Sequence, residues 1–329
     1  MRSFLVKHWF LLLLTVSLLV SWTFPAWVRP LVAPLPPQAV VALSLYLTAL
    51  GLEGRRLYES VRRPWAALWA LLVSYGAAPA LAALLARLSS HADLGFGLVL
   101  MASVPCTLAS AVLWTRLAGG DEATALLAVM LSTGTSWLFT SLGLTLVTST
   151  SVDLPLSSMM LGLLLVLVIP VLLGQLSRRI PGVPAAVKRH RTLSGVIVRL
   201  LILAIILKAA IDLPQRVAQL HALDLLEIAA LALLMHLTAF SLGLWGGRLI
   251  GLSRPGRIAA AFAGSQKTLP VALYLFEAYY CATYPLAVVP LVLYHVGQLV
   301  IDTFLADALA RRPRAEVTPD EILDVEGTP

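Results

Sequence analysis

The sequence predicts an all-α polytopic membrane protein with ten transmembrane helices arranged as two inverted five-helix repeats. Three observations carry that prediction. Hydrophobic residues make up 59% and charged residues 12% of 329, with a mean hydropathy of +0.88, which is more apolar surface than a water-soluble core requires. About 20 apolar residues cross a bilayer, and the chain divides into ten apolar runs joined by short links. The fourth and ninth runs are broken at mid-depth, by Ser103-Val104-Pro105-Cys106-Thr107-Leu108-Ala109-Ser110 and by Gly264-Ser265-Gln266-Lys267-Thr268-Leu269-Pro270. Corresponding interrupted helices in two halves of a chain point to a transporter site at the repeat interface.

Span one covers about residues 11–20, after Arg2 and Lys7. Trp22, Phe24, Pro25, Trp27 and Arg29 follow it instead of a small-residue cleavage pattern, so it reads as a helix and not as a secretory leader. A proline-rich link, 30–37, leads into span two, 39–52, which carries Ser44, Tyr46 and Thr48. Span three, 65–86, follows a loop with four arginines and contains Pro79. A proline removes an intrahelical bond, so a kink is expected there. Span four is 94–117, and the tight loop Gly119-Gly120-Asp121-Glu122 connects it to span five, 123–147, with Ser132, Thr133, Thr135 and Ser136 along it. The first repeat therefore occupies residues 1–154. The second, 155–310, holds span six at 156–176 with Pro170 and Gln175, a basic loop at 177–191, and spans seven to ten at 193–211, 223–250, 259–276 and 286–309. From residue 311 the chain becomes acidic through Glu316, Asp320, Glu321, Asp324 and Glu326, a composition that predicts a disordered tail, 311–329.

The net charge of +7 does not mark a nucleic-acid binder, because the arginines cluster between apolar runs. With the N-terminus inside, about 18 of the 24 basic residues fall on the cytoplasmic side, as the positive-inside rule requires. Both termini are then cytoplasmic, and the expected location is a bacterial inner membrane. An odd number of spans per half makes the two halves run in opposite senses. Cys106 and Cys281 have neither the number nor the spacing of a disulfide framework or a metal site, and both read as packing residues.

In hydrocarbon every backbone N–H and C=O must find a partner, so a break survives only where protein or a water-filled cavity receives the freed groups. An ionisable residue at that depth is costly and marks a functional site by default. Lys267 is the clearest candidate, with Ser265, Gln266 and Thr268 beside it and Pro105, Thr107 and Ser110 at the other break. His295 and Gln298 in span ten share one helical face. Each has a plainer reading: Lys267 as a helix-pairing or snorkelling residue, the hydroxyls and amides as interhelical glue, and His295 as a satisfied buried histidine. His236, Glu227, Asp302 and Arg199 are further intramembrane polar residues for which a structural role is the ordinary one. No G-x-S-x-G, H-E-x-x-H or glycine-rich phosphate loop with a lysine is present, so the chain reads as a non-enzyme.

The run Ser110-Ala111-Val112-Leu113-Trp114-Thr115-Arg116-Leu117-Ala118-Gly119-Gly120-Asp121-Glu122-Ala123 resembles the span-four motif of the bile acid:sodium symporter superfamily. Residues 264–269, with Pro290-Leu291-Val292-Leu293-Tyr294-His295 and Gln298-Leu299, resemble its sodium/bile-acid-symporter-like branch. The resemblance implies a core domain of spans three to five and eight to ten, in which broken spans four and nine cross. It also implies a panel of spans one, two, six and seven facing the core across a substrate cleft. Of the family's sodium ligands, Ser110 and Gln266 keep their type, and a one-residue shift would add Thr124. Ala111, Ala125, Val129, Phe262 and Lys267 stand where other ligands are expected, leaving fewer oxygens than a hard cation requires. The coupling ion is left open between sodium, a proton and the fixed charge of Lys267, and no other cofactor is implied. The implied function is secondary transport, by alternating access, of a small organic anion, because half-helix N-termini and an ammonium both favour negative charge. A non-transporting membrane sensor or, further off, an intramembrane enzyme are the alternatives. The bilayer is the only other partner implied.

Overall fold

The computed structural model describes residues 13, 16–17, 19–52, 61, 64–148, 156–211, 213–218 and 220–311. Half of the expected span one, most of the arginine-rich loop after span two, the polar stretch beyond residue 148 and the expected tail after residue 311 lie outside them. Among the described residues all regular structure is helical. In chain order the helices are α1 (Pro25–Val32), α2 (Pro37–Gly51), α3 (Trp65–Ala86), α4 (Ala92–Ser103), α5 (Ser110–Leu117), α6 (Glu122–Thr148) and α7 (Leu156–Ser177). They continue as α8 (Val183–Arg189), α9 (Arg191–Ala210), α10 (Leu213–Val217), α11 (Ala222–Leu249), α12 (Arg254–Ser265), α13 (Leu269–Leu275) and α14 (Val288–Ala310). Five of these segments are long and apolar enough to cross a membrane, or six if α1 and α2, bent by 70° at their junction, form one span. Large apolar side chains such as Trp65, Leu68 and Leu72 on α3 and Leu161, Leu165 and Leu172 on α7 face outward. Exposed apolar faces of that extent belong in lipid.

Prolines shape the helices in two ways. The expected link at 30–37 is shorter than the sequence suggests: Pro30 lies inside α1, which ends two residues later. Pro79 and Pro170 do not break α3 and α7. Each follows by two residues a wide π turn, Val73–Ala77 and Leu164–Val168 respectively, in which bonds run from i to i+5. A proline ring collides with the carbonyl four residues back and donates no bond to it, and the extra residue in the turn before it relieves both problems.

The packing divides the helices into two groups. In one, α12 lies against α3, α5, α6 and α11, while α14 lies against α4, α5, α11 and α13. In the other, α2 packs on α7 and α9, and α9 on α1. The groups meet where α7 touches α6 and where α13 touches α2 and α9. Close approach inside the first group depends on missing side chains. A Cβ on Gly97 of α4 would stand 2.3 Å from the Ala287 carbonyl oxygen and 2.4 Å from Pro290 Cγ. One on Gly243 of α11 would stand 2.5 Å from Ala261 Cα. Small residues let membrane helices approach backbone to backbone where no hydrophobic force pulls them together. The result is that α4, α12 and α13, which hold the broken segments, are buried almost along their whole length.

Candidate functional site

The two breaks meet. Val104 leaves α4 with an extended backbone (φ −76°, ψ 158°), as the residue before a proline must. Gln266 (φ −71°, ψ 139°) and Thr268 (φ −89°, ψ 109°) are extended on either side of Lys267. The two extended segments touch through their backbones, Thr268 N–H donating to the Pro105 carbonyl at 3.0 Å. Each break thus supplies a partner for the other, which is how unpaired peptide groups survive at depth.

Lys267 passes through the crossing and is fully buried. Its Nζ donates to the Ser74 carbonyl and the Ser74 Oγ, both at 2.7 Å, and to the Val104 carbonyl at 3.2 Å. It stands 5.7 Å from the centre of the Tyr75 ring. The Ser74 carbonyl is available because of Pro79. In the π turn of α3, Ala78 N–H donates to Val73 instead of Ser74, and Pro79, the next candidate donor, has no N–H. Val104 is likewise one of the carbonyls a helix end leaves without a partner. An ammonium has three donors and no acceptor. Three neutral oxygens around Nζ can take all three N–H groups of an ammonium.

The backbone of Lys267 is held from α14. Gln298 Oε1 accepts from Lys267 N–H at 2.9 Å and Gln298 Nε2 donates to the Lys267 carbonyl at 2.9 Å. This pair of hydrogen bonds fixes which way the amide faces. Its Nε2 also approaches His295 Nδ1 at 3.0 Å, so Nδ1 is an acceptor and the ring is the neutral tautomer with its proton on Nε2.

A second chain of bonds leads away from Gln266. Thr107 Oγ1 and Ser110 Oγ both donate to Gln266 Oε1 at 2.7 Å, and Gln266 Nε2 donates to Asp302 Oδ2 at 2.6 Å. Asp302 Oδ1 lies 2.9 Å from His236 Nε2, and His236 Nδ1 lies 3.2 Å from the Tyr294 hydroxyl. Tyr294 spends its single proton on the Ser265 carbonyl at 2.7 Å, so His236 Nδ1 must be the donor to it. One more proton then lies between Nε2 and Oδ1. Wherever it sits, as imidazolium and carboxylate or as imidazole and carboxylic acid, the pair is neutral overall.

The structure therefore gathers Pro105, Thr107, Ser110, Ser265, Gln266, Lys267, Thr268, His295 and Gln298 at one crossing. It places Thr124 elsewhere: its hydroxyl donates to Asp121 Oδ2 at the start of α6. Asp121 also accepts from Ala123 N–H at 3.0 Å, so Asp121 caps the start of α6. Glu227 accepts from Ser90 N–H at 2.7 Å and from its hydroxyl, tying the α3–α4 loop to α11. Ser74, Tyr75 and Tyr294 were not legible as site residues, and His236 and Asp302, visible as intramembrane polar residues, were given a structural role. Ser132, whose Oγ accepts from Cys106 N–H at 3.0 Å and whose carbonyl accepts from the Tyr75 hydroxyl at 2.7 Å, was not either. One signal existed for Ser74: it precedes a proline by five residues inside an apolar run. An apolar cavity of about 340 Å³ between α1 and α9, lined by Val28, Leu31, Val32, Leu200, Leu203 and Leu207 among others, has no charged lining residue and lies apart from the crossing.

The model of the SBF-like CPA transporter family matches residues 8–311. A curated protein, sodium/bile acid cotransporter 7 of Danio rerio, is 26% identical over 220 residues, an alignment that spans 65% of this chain and 64% of that protein's length.

Proposed function

This chain belongs to the SBF-like CPA transporter family, and on that premise we propose that it is a secondary active transporter of a small organic anion, working by alternating access. The family and its apolar helices make it an integral membrane protein. The observation that carries the anion reading is the charge balance at the crossing. We take Lys267 as an ammonium, held only by neutral oxygens; the His236–Asp302 pair is neutral overall, and His295 is a neutral tautomer. The crossing is left with one uncompensated positive charge in a medium where Coulomb interactions are poorly screened. From the name of the zebrafish relative we take only the substrate class, an organic anion. In place of a sodium ion we assign the fixed ammonium of Lys267, a compact point charge on a flexible stem, tethered among three oxygens.

In this reading α4 and α5 form the broken span four and α12 and α13 the broken span nine of a ten-span inverted repeat. The packing group around α12 and α14 is the core, and α1, α2, α7 and α9 form the panel. Positive-inside topology then puts Gly182 in the cytoplasm and Asp153 outside. Single cysteines at these positions, labelled with an impermeant maleimide in intact cells and in inverted vesicles, are expected to react from opposite sides; reaction from the same side contradicts the arrangement.

The transport reading is tested in two steps. A thermal-shift screen of the purified protein against organic anions identifies binders, because a ligand of the native state raises apparent stability by mass action. Flux of a binder into sealed proteoliposomes must then exceed that into protein-free vesicles. Binding without flux indicates a sensor, and a changed product in detergent indicates an enzyme.

A further inference from the structure

The hydrogen-bond directions at the crossing carry information about substrate class. Gln266 is anchored by Asp302, whose Oδ2 can only accept in either protonation arrangement of the His236–Asp302 pair, because the shared proton lies on the Oδ1 side. The amide nitrogen must therefore face Asp302, at 2.6 Å, and the amide oxygen must face the other break. There it consumes the hydroxyl protons of both Thr107 and Ser110, at 2.7 Å each. A hydroxyl has one proton and two lone pairs. With their protons committed, these hydroxyls have only lone pairs left to offer. Gln266 and Asp302 are sealed from solvent, whereas Thr107 and Ser110 are half-buried at the edge of the crossing, where a bound molecule can reach them.

We infer that Thr107 and Ser110 form a paired hydrogen-bond acceptor for a donor group, a hydroxyl or an N–H, carried by the transported anion, and that Asp302 sets this polarity through Gln266 without touching the substrate. The inference rests on the anion-transport reading and narrows it to anions bearing a donor. Asp302 is on this account a positioning residue that determines specificity. A net hydrogen bond of about 0.5–1.5 kcal/mol corresponds to roughly 2–10-fold in affinity, and two acceptors for one donor put the expectation near the upper end.

The probes are matched carboxylates differing in one donor: lactate with pyruvate, and malate with oxaloacetate. Binding is followed by thermal shift in detergent, with and without sodium. The wild type is expected to bind the hydroxy member about tenfold more tightly than its oxo partner. Asp302→Asn keeps this polarity, its Nδ2 donating to Nε2 of a neutral His236 and its Oδ1 accepting from Gln266, and should retain the hydroxy preference. Asp302→Leu removes the acceptor, leaves the Gln266 amide free to turn and should bring the ratio toward one. A merely structural role for Asp302 would lower both affinities in parallel. If Asp302→Leu does not fold, Thr107→Val with Ser110→Ala serves instead: it removes the acceptors without touching the buried pair and should bring the ratio to about one. Equal affinities in the wild type, an unchanged ratio in Thr107→Val/Ser110→Ala, or a hydroxy preference that appears only with sodium overturns the inference while leaving anion transport standing. No binding by either pair removes the inference together with the small hydroxy acids as substrates, and binding of other anions in the wider screen would still uphold transport.

Discussion

Lys267→Ala is expected to lower anion affinity by about 100-fold and to destabilise the protein at the same time. Truncating one member of a desolvated charge pair costs about 2–5 kcal/mol, and here the partner is the substrate. The stability loss has a separate origin. Without Nζ, the Ser74 and Val104 carbonyls and the Ser74 hydroxyl lose their shared donor, and each buried group left unpaired costs about 1–3 kcal/mol. Lys267→Gln separates the two effects. Its amide can donate to part of this set, so a substantial share of the melting temperature returns, while the charge and the affinity do not. Calorimetry and thermal unfolding on the same preparations distinguish the outcomes. Full recovery of affinity in Lys267→Gln would mean that Lys267 only holds α3 and α4 together.

The second large effect is expected at the His236–Asp302 pair. Asp302→Ala removes the acceptor of both His236 and Gln266. Breaking a buried pair from one side costs about 3–5 kcal/mol, and His236→Ala should cost a comparable amount. Replacing both partners with leucine should cost less than the sum of the single changes, since neither partner then strands the other and only the Gln266 amide loses its acceptor. A double-mutant cycle read by denaturant unfolding in detergent tests this, and additive losses would show that the two side chains do not form one unit.

How much of this was legible beforehand depended on the kind of signal. The helical class and the breaks followed from patterns that hydrocarbon enforces locally: long apolar runs, a proline among hydroxyls, a lysine between a glutamine and a threonine. Lys267, Gln266 and Gln298 were visible for the same reason, because a polar residue at depth must be explained. What Lys267 would bond was not visible. Its acceptor on α3 is a carbonyl freed by a π turn and Pro79, and a proline that signals a kink does not by itself reveal which distant side chain takes the orphaned oxygen. The coupling of His236 to Asp302 spans 66 residues and depends on α11 meeting α14, which spacing along one helix cannot show. Thr124 shows the converse: a hydroxyl near a motif finds its partner locally, donating to Asp121 at the start of α6.

The central claim is that a tethered ammonium does the work of a coupling cation at the crossing. Isothermal titration of the wild type with an anion from the screen, in sodium chloride and in choline chloride at equal ionic strength, tests it most directly. The account predicts the same affinity in both buffers. Binding that is lost in choline and restored by sodium would contradict it, and would place a free cation where Lys267 is argued to suffice.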